Sequence, residues 1–232
     1  LIYHMYLSQD TVQILKNFST INSNIMIRKG SKIRTWTVSK TILGEATVTE
    51  EFPSDVAIYD LNQFLNCLSL VPGADLELSD DSVTISDGTN SIVYRCAVPS
   101  SISTPPDKSI TLPSEDVCVV LTEDNLETVK KAASVLQIPD VSLIGDGERI
   151  YLTVRDKSNS GSNSYKIDVG EADAVFQLNL KVENLKILPG DYDVVISCSN
   201  PDKTIGHFTN HARAVEYYIP FENDSTYTAP NG

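Results

Sequence analysis

The chain has 232 residues, 41% of them hydrophobic and 21% charged, which is enough apolar material for one large domain or two of about 100 residues. Its 18 Lys and Arg against 31 Asp and Glu give a formal net charge of −13, which argues against a general nucleic-acid binder with a basic surface. No run of about 18 apolar residues is present, so no membrane-spanning helix is predicted. The four residues ahead of Met5 are interpreted as an added segment and are left out of the predicted fold.

One segment occurs twice, 114 residues apart. Residues 7–18 read LSQDTVQILKNF, and residues 121–132 read LTEDNLETVKKA. Each copy begins with a hydroxyl residue suited to capping a helix, Ser8 or Thr122, and continues with apolar residues at helical spacing. Both copies are therefore predicted to be amphipathic helices. A repeat at about half the chain length indicates two copies of one architecture.

The first half is predicted to contain two similar units, each made of a strand, a helix and further strands. After the helix at 7–18, a second helix is expected to begin at its cap Asp60 and to end at Pro72-Gly73, a strong breaker pair. Alternation and turn signals predict strands near residues 6–7, 24–28, 32–39, 42–49, 56–59, 75–78, 83–86 and 91–98.

The second half is predicted to repeat this plan, with a helix from Thr122 to about Gln137 and a short one ending at Pro189-Gly190. The predicted strands lie near residues 117–121, 141–144, 149–155, 165–169, 175–180, 192–198, 205–209 and 214–220.

Together these elements predict an α+β architecture with antiparallel sheets on one side and four helices on the other. Four prolines in the segment 99–113 indicate an extended connector rather than a strand. The predicted organisation is one domain at 5–98, a connector at 99–116, a second domain at 117–222 and a polar, frayed tail at 223–232.

The sequence predicts no enzyme, no metal site and no cofactor. His207 and His211 have a helical spacing but lie in a predicted strand and its turn, which is wrong for one metal site. Asp80, Asp81 and Asp87 are interpreted as hairpin-turn residues rather than calcium ligands. No glycine-rich phosphate loop or nucleophile elbow is present. The cysteines, which form no CxxC pair, are interpreted as buried free thiols: Cys67, Cys96, Cys118 and Cys198.

Five lysines lie on or beside the four predicted helices, whereas acidic residues concentrate in loops and at strand ends. Composition alone favours the simpler interpretation of scattered surface lysines. Glu123 and Glu127 on the second repeat also weaken any simple positive stripe. The five are Lys16, Lys130, Lys131, Lys181 and Lys186.

Three segments of the first half, 7–26, 55–65 and 68–71, resemble the sliding clamps of T-even-type bacteriophages. The resemblance is fainter in the second half, at 136–138, at Pro189-Gly190 with Tyr192, and at 224–226. It covers nearly the whole chain.

The resemblance implies that two such domains form a protomer and that three protomers close a ring around duplex DNA. Helices would line the hole and sheets would form the outer wall. The ring would tether the replicative DNA polymerase, would be opened by an ATP-driven clamp loader and would work without an active site in the cytoplasm of the infected bacterial host. The five lysines would then face DNA, and an acidic body with few inward lysines suits a ring that guides DNA without gripping it.

The resemblance also implies two protein-binding surfaces. Residues 216–221 (EYYIPF) resemble the strand end that floors the partner-peptide pocket in cellular relatives. Candidate residues of this pocket are Val38, Ile42, Ile102, Ile110, Leu112, Tyr218 and Pro220. Edge strands at 91–96 and 165–169 would pair between protomers through Ser91, Val93, Arg95, Tyr165, Ile167 and Val169.

A competing interpretation is a structural or interaction protein rich in strands, such as a virion component, and an enzyme is a more distant third. Strand-rich composition, Ser/Thr/Asn turns and acidity fit a structural protein too. The repeated helix at Leu7 and Leu121 distinguishes the interpretations, because such a protein needs no paired helices with a polar, lysine-bearing face.

Overall fold

The computed structural model describes residues 1–231, which divide into two units: Leu1–Asp107 (unit 1) and a second that begins at Lys108 (unit 2). The elements of unit 1 are, in chain order, β1 (Tyr3–Met5), α1 (Gln9–Ile21), β2 (Ile25–Ile27), β3 (Gly30–Trp36), β4 (Leu43–Phe52), β5 (Val56–Ile58), α2 (Leu61–Leu70), β6 (Asp75–Leu78), β7 (Ser82–Ser86) and β8 (Ser91–Arg95). β1, β6, β7 and β8 form an antiparallel sheet in that order. β2 pairs with β5, and β3 pairs with β4.

Helix α1 forms where its cap and its apolar spacing predict it. The Thr11 amide donates to the Ser8 hydroxyl at 3.2 Å, which satisfies one of the free amides of the first turn. Its buried face, which includes Leu15 and Phe18, lies against β3 and β4. Gly44 of β4 allows the close approach, because a Cβ there would lie 3.0 Å from a ring carbon of Phe18. The helix is thereby fixed with its polar side away from these strands.

Strand β1 corrects the expectation for the first residues. A strand was predicted at 6–7 and the preceding residues were set aside, but Tyr3–Met5 pair with β6 in the register Tyr3↔Leu78 and Met5↔Leu76. His4 Nδ1 also lies 2.5 Å from Asp75 Oδ2. The backbone supplies this pairing, and a three-residue strand is too short to show side-chain alternation. Tyr3 and His4, two of the four residues ahead of Met5, therefore belong to the fold of unit 1.

Unit 2 contains β9 (Val117–Leu121), α3 (Glu123–Leu136), β10 (Asp140–Asp146), β11 (Arg149–Arg155), β12 (Ser164–Glu171), β13 (Val175–Lys181), β14 (Tyr192–Ser197), β15 (Ile205–Asn210), β16 (Val215–Pro220) and β17 (Thr226–Thr228). One antiparallel sheet has the order β12-β11-β10-β13-β17, and β9, β14, β15 and β16 are neighbours in that order in another. Thr122 and Asn125 close a capping box on α3, with both amide-to-side-chain distances at 3.1 Å. The buried face of α3 lies against β10, β11 and β12.

The prediction of a fourth helix before Pro189-Gly190 is wrong. Val182–Asn184 make a single 3-10 turn, and the chain then continues without regular structure to β14. Buried Leu188 anchors this segment: its carbonyl accepts from the Tyr192 hydroxyl at 2.6 Å, and its amide donates to the Tyr217 hydroxyl at 3.1 Å. The stretch between β13 and Pro189 spans about two helical turns, too short for a helix to be stable by itself. Tyrosine hydroxyls satisfy the backbone groups instead.

We expect Tyr217→Phe to lower the free energy of unfolding by about 1–3 kcal/mol, because the buried Leu188 amide loses its acceptor while the ring remains. Urea denaturation compared with the unchanged chain measures the loss. Tyr59→Phe is the matched control. Tyr59 is 65% exposed, so water can take over any hydrogen bond that its hydroxyl makes. Equal unfolding midpoints for both variants would contradict this role of Tyr217.

The tail at 223–232 was expected to be frayed, and for residues 224–228 this is wrong. β17 pairs with β13, with Thr228 opposite Val175. Just before it, the buried Ser225 hydroxyl accepts from the Asn179 amide at 3.0 Å, and Asp224 Oδ1 accepts from Asn179 Nδ2 at 3.1 Å. Polar side chains thus hold the segment, which hydrophobic patterning does not reveal. The last residue of the predicted tail, Gly232, lies outside the described residues.

Candidate functional site

Lys16 lies on the exposed side of α1, opposite the face that packs on β3 and β4. It borders a cleft of about 300 Å³ between α1, α2 and the start of β6. The cleft is otherwise mainly apolar, lined among others by Tyr6, Leu65, Leu68 and Pro72. Within residues 1–231, no carboxylate is within ion-pair distance of the Lys16 ammonium group. Its charge is therefore available to an external anion.

The corresponding side of α3 carries both signs of charge. Lys131 is exposed, and the Lys130 side chain is 30% exposed with its Nζ 3.7 Å from Glu127 Oε1 one turn away. A loose pair of this kind contributes roughly 0–1 kcal/mol, so it tempers the Lys130 charge without removing it. Glu123, at the start of the helix, is exposed, and its amide donates to Asp191 Oδ1 at 2.8 Å. The polar side of α3 is therefore only weakly positive.

Lys181 and Lys186 do not lie on a helix, because the predicted fourth helix is wrong. Lys181 ends β13, and its Nζ lies 2.5 Å from Oδ1 of the buried Asp140. The hydrogen bond to Asp140 raises the pKa of Lys181, so the ion pair offsets its charge. Lys186 is exposed in the segment that follows the 3-10 turn. Of the two, Lys186 is the more accessible cation.

The two histidines lie apart on separate carboxylate partners. His207 Nε2 is 2.9 Å from Glu216 Oε2 on the neighbouring strand, and His211 Nε2 is 2.8 Å from Asp193 Oδ1. Within the described part of the chain, no three or more His, Cys, Asp or Glu side chains gather closely enough to hold a metal ion. Among the same residues, no helix has both the length and the apolar character needed to cross a membrane.

The cysteines are free thiols, but the prediction that all four are buried is wrong for Cys118. β9 alternates between buried and exposed positions, and Cys118 lies on its exposed face with Val120. Cys198 is buried, and burial raises its pKa to about 12, which makes it a poor nucleophile. Cys67 and Cys96 are half-buried.

The predicted pocket residues of unit 1 have different environments. Val38 is 83% exposed in the turn between β3 and β4, whereas Ile42 is buried at the end of that turn. Ile102 is buried in a small cluster with Met26 and Ala57. Ile102 is therefore a core contact of unit 1, and Val38 is the most accessible of the three predicted residues.

In unit 2 one predicted pocket residue, Ile110, is bonded to another, Tyr218. The Tyr218 hydroxyl donates to the Ile110 carbonyl at 3.3 Å, which fixes the connector to β16. One face of its ring stacks on His207, with centroids 4.3 Å apart. Ile110 is 37% exposed, and Leu112 and Pro220 are half-buried. This side of unit 2 thus presents a partly exposed apolar surface held by one tyrosine.

The two strands predicted to join protomers are both sheet edges. β8 is the last strand of the β1-β6-β7-β8 sheet, and β12 is the first of the β12-β11-β10-β13-β17 sheet. Along β8, Ser91, Val93 and Arg95 are exposed. Along β12, exposed and half-buried residues alternate, and the half-buried face carries Tyr165, Ile167 and Val169. Within residues 1–231, each strand has a row of backbone groups that no other strand pairs and that could accept another strand.

A cleft of about 350 Å³ lies beside β8, against α2. Its lining includes Tyr59 and Val93, which are 65% and 52% exposed. Val135 of α3, a helix that packs beside β12, is 73% exposed. Exposed apolar side chains next to free edges favour an interface. Neither Tyr59 nor Val135 was predicted from the sequence as an interface residue. For Tyr59 the available signal was a large aromatic residue directly before the helix cap Asp60.

Comparisons with known proteins find matches to both halves of the chain. Residues 8–102 match the family model "DNA polymerase processivity factor", and residues 118–223 match the model "gp45 sliding clamp, C terminal". The sliding clamp of Escherichia phage RB69 is 35% identical over 231 residues, covering 96% of this chain and 99% of that protein. The sliding clamp of Enterobacteria phage T4 is 31% identical over 231 residues, with the same coverage.

A solved structure of PCNA from A. fulgidus, bound to the C-terminal region of FEN-1, has a similar fold. Its TM-score is 0.65 at 13% identity, covering 96% of this chain and 98% of that one. The alternative of a structural virion component finds no support in these matches. The two family models cover both halves of the chain, and the phage relatives align over nearly its full length. The chain therefore belongs to the bacteriophage sliding-clamp family of DNA polymerase processivity factors.

Proposed function

We propose that this protein works as a sliding clamp, which encircles duplex DNA and tethers the replicative DNA polymerase for processive synthesis. The observation that carries the proposal is the full-length relationship to the RB69 and T4 sliding clamps. Such a role needs no catalytic group, because the protein acts by holding the polymerase on its template. It would be exercised in the cytoplasm of the infected bacterial host, where phage DNA is copied.

The ring would be a homotrimer built by edge-strand pairing. A contact between β8 of one copy and β12 of the next joins two different surfaces, so it is head-to-tail and closes into a ring when the rotation allows. Exposed Val93 and the half-buried Ile167 would lie within this contact. Pairing would also cover the edges, which otherwise are sites of aggregation.

DNA would be held by topology rather than by tight contacts. Lys16, Lys130 and Lys131 supply positive charge on the polar sides of α1 and α3, with Lys186 as a further candidate. Lys181 contributes least, because Asp140 neutralises it. Many phosphate contacts would slow sliding, since each releases counterions and adds affinity. A formal net charge of −13 with a few lysines toward the DNA suits a loose guide.

The polymerase would dock through a short peptide with apolar anchors on the surface around Tyr218. Within unit 2, the candidate residues of this docking surface are Ile110, Leu112 and Pro220. The related fold that is bound to the C-terminal region of FEN-1 supports a peptide-docking role for clamps of this shape. An ATP-driven clamp loader would open the ring.

We expect Tyr218→Ala to weaken binding of the C-terminal peptide of the cognate polymerase by about tenfold or more, as for a central aromatic contact. Isothermal calorimetry measures the affinity. Tyr218→Phe separates two effects, because it keeps the ring and removes only the hydrogen bond to Ile110. Tyr6→Ala, at a 65% exposed tyrosine of unit 1, is the control and should bind normally. Unaltered affinity of Tyr218→Ala would refute the pocket assignment.

Primer extension tests the proposed function itself. On a long primed circular template with the cognate polymerase, loader and ATP, adding the protein should lengthen the products of single binding events. Omitting the loader should abolish the gain, because a closed ring cannot thread onto a circle. Product lengths that do not respond to the protein under either condition would overturn the proposal.

A further inference from the structure

Four of the 18 basic residues of this acidic chain are concentrated within seven positions at the β2–β3 turn. They are Arg28, Lys29, Lys32 and Arg34. Lys32 and Arg34 fall on the same face of β3, opposite the buried Ile33, because alternate strand residues share a face. These four residues line a cleft of about 270 Å³, here called the basic cleft.

The basic cleft has an apolar floor and a preformed wall. Met26 and Pro105 are buried and line it. The connector is fixed alongside β3: the Trp36 indole donates to the Ser103 carbonyl at 3.2 Å, and the Arg34 guanidinium donates to the Pro106 carbonyl. A cleft with fixed walls loses little conformational freedom when it is filled, which favours binding.

Carboxylates of the chain offset only part of the positive charge. Arg28 Nη1 lies 3.1 Å from Asp55 Oδ2, and both side chains are about half exposed. Glu45 is shared by two cations, with Lys32 Nζ at 3.3 Å and Arg34 Nε at 2.7 Å.

Lys29 donates its backbone amide to Asp55 at 2.8 Å. Its ammonium group has no carboxylate within ion-pair distance among residues 1–231. Counting Asp107 at the rim, four cations meet three carboxylates. The basic cleft thus keeps a net positive charge on a chain whose formal charge is −13.

We infer that the basic cleft is a docking site for an acidic segment of a protein partner. One apolar side chain of that segment would lie on the floor of Met26 and Pro105. Its flanking carboxylates would contact Lys29, Arg28 and Lys32, the cations with exposed side chains. The inference is independent of the ring and of the pocket around Tyr218, since all the residues that carry it belong to unit 1 and none was predicted as a partner-pocket residue.

The charge and shape of the basic cleft favour a peptide over a nucleic acid. Nucleic-acid affinity comes from several phosphates, each paired with a cation that releases a counterion. Here the charge excess is a single unit, and the acidic remainder of the chain would repel a polyanion. An apolar floor with a few convergent charges instead matches recognition of a short motif, in which the anchor provides affinity and the charges provide specificity.

The probe is a fluorescein-labelled, end-blocked peptide, Gly-Asp-Asp-Leu-Leu-Asp-Glu-Gly, titrated with the intact protein and followed by anisotropy. We expect binding that weakens as NaCl rises, as for partly exposed charges. The double variant Lys29→Glu/Lys32→Glu should weaken it by about tenfold or more. Lys29→Arg should retain binding, and Lys203→Glu, at an exposed turn of unit 2, is the matched control. Unchanged urea midpoints would show that the variants are folded.

Three further binding measurements test whether the basic cleft recognises an acidic peptide. A peptide with Asn and Gln in place of its acids should not bind, and one with Ala in place of both Leu should bind several-fold more weakly. Binding of an eight-nucleotide single-stranded DNA without binding of the acidic peptide would overturn the inference in favour of a nucleic-acid site. Absence of peptide binding, or equal binding to the Lys29→Glu/Lys32→Glu variant, would overturn it outright.

Discussion

Val93→Asp and Ile167→Asp should each convert the protein in solution to a monomer. In a head-to-tail ring every contact uses one β8 edge and one β12 edge, so a change at either edge damages all contacts at once. An aspartate buried in strand pairing has no partner for its charge and costs several kcal/mol. Since about 1.4 kcal/mol is a tenfold change in an equilibrium constant, such a cost dissociates the ring at micromolar concentration.

Light scattering after size exclusion gives the mass. The unchanged protein should have three times the 25.5 kDa mass of the chain, and each variant should have that mass once. Val120→Asp is the matched control, an exposed valine on β9 whose replacement should leave the trimer intact. A trimeric mass for either edge variant would exclude its strand from the interface.

Mixing the two variants tests the direction of the contact. The Val93→Asp chain keeps an intact β12 edge, and the Ile167→Asp chain keeps an intact β8 edge. Together they can form one sound contact, so an equimolar mixture should give a dimer of two unlike chains that cannot extend or close. A mixture that stays monomeric would contradict pairing of β8 with β12.

Lys16→Glu/Lys130→Glu/Lys131→Glu should strongly impair processive synthesis while leaving the trimeric mass unchanged. Each chain changes by six units of charge, so the helix faces that are weakly positive become strongly repulsive to phosphate. Product length in primer extension at moderate salt measures the effect. We expect partial recovery at higher salt, where the repulsion is screened.

The control carries one of the same charge reversals outside the helices. Lys203→Glu alters an exposed turn of unit 2 and should support normal product lengths. Glu127→Gln should act in the opposite direction, since it releases Lys130 from its 3.7 Å pair. Normal processivity of the triple variant would show that these lysines do not face DNA.

The sequence predicts those elements whose signals are local. α1 and α3 begin where Ser8 and Thr122 cap them, because both the cap and the apolar spacing lie within each helix. The segment before Pro189 was given a helix by analogy with the other three units. In the structure its shape depends on hydroxyl groups of Tyr192 and Tyr217, and the Tyr217 contribution comes from 29 residues away in sequence.

The same distinction applies to the candidate sites. The sequence does not predict the ion pair that offsets the charge of Lys181, because its partner Asp140 lies 41 residues earlier in the chain. β1 and β17 join sheets through their backbones, which side-chain patterns do not record. The basic cleft was overlooked because, in the sequence, residues 29–31 only separate two predicted strands, 24–28 and 32–39. Its significance depends on Asp55, Glu45 and the connector, which the fold brings beside that turn.

The most direct test of the central claim, that DNA is held by topology, is retention of the loaded protein on circular and linear DNA. Labelled protein would be loaded onto a nicked plasmid, and gel filtration would remove the unbound protein. The protein that remains on the DNA would then be measured before and after one restriction cut. We predict that the protein stays on the intact circle and leaves after linearisation, by sliding off the ends. Equal retention on the circle and on the cut DNA would mean that contacts, rather than encirclement, hold the protein on DNA.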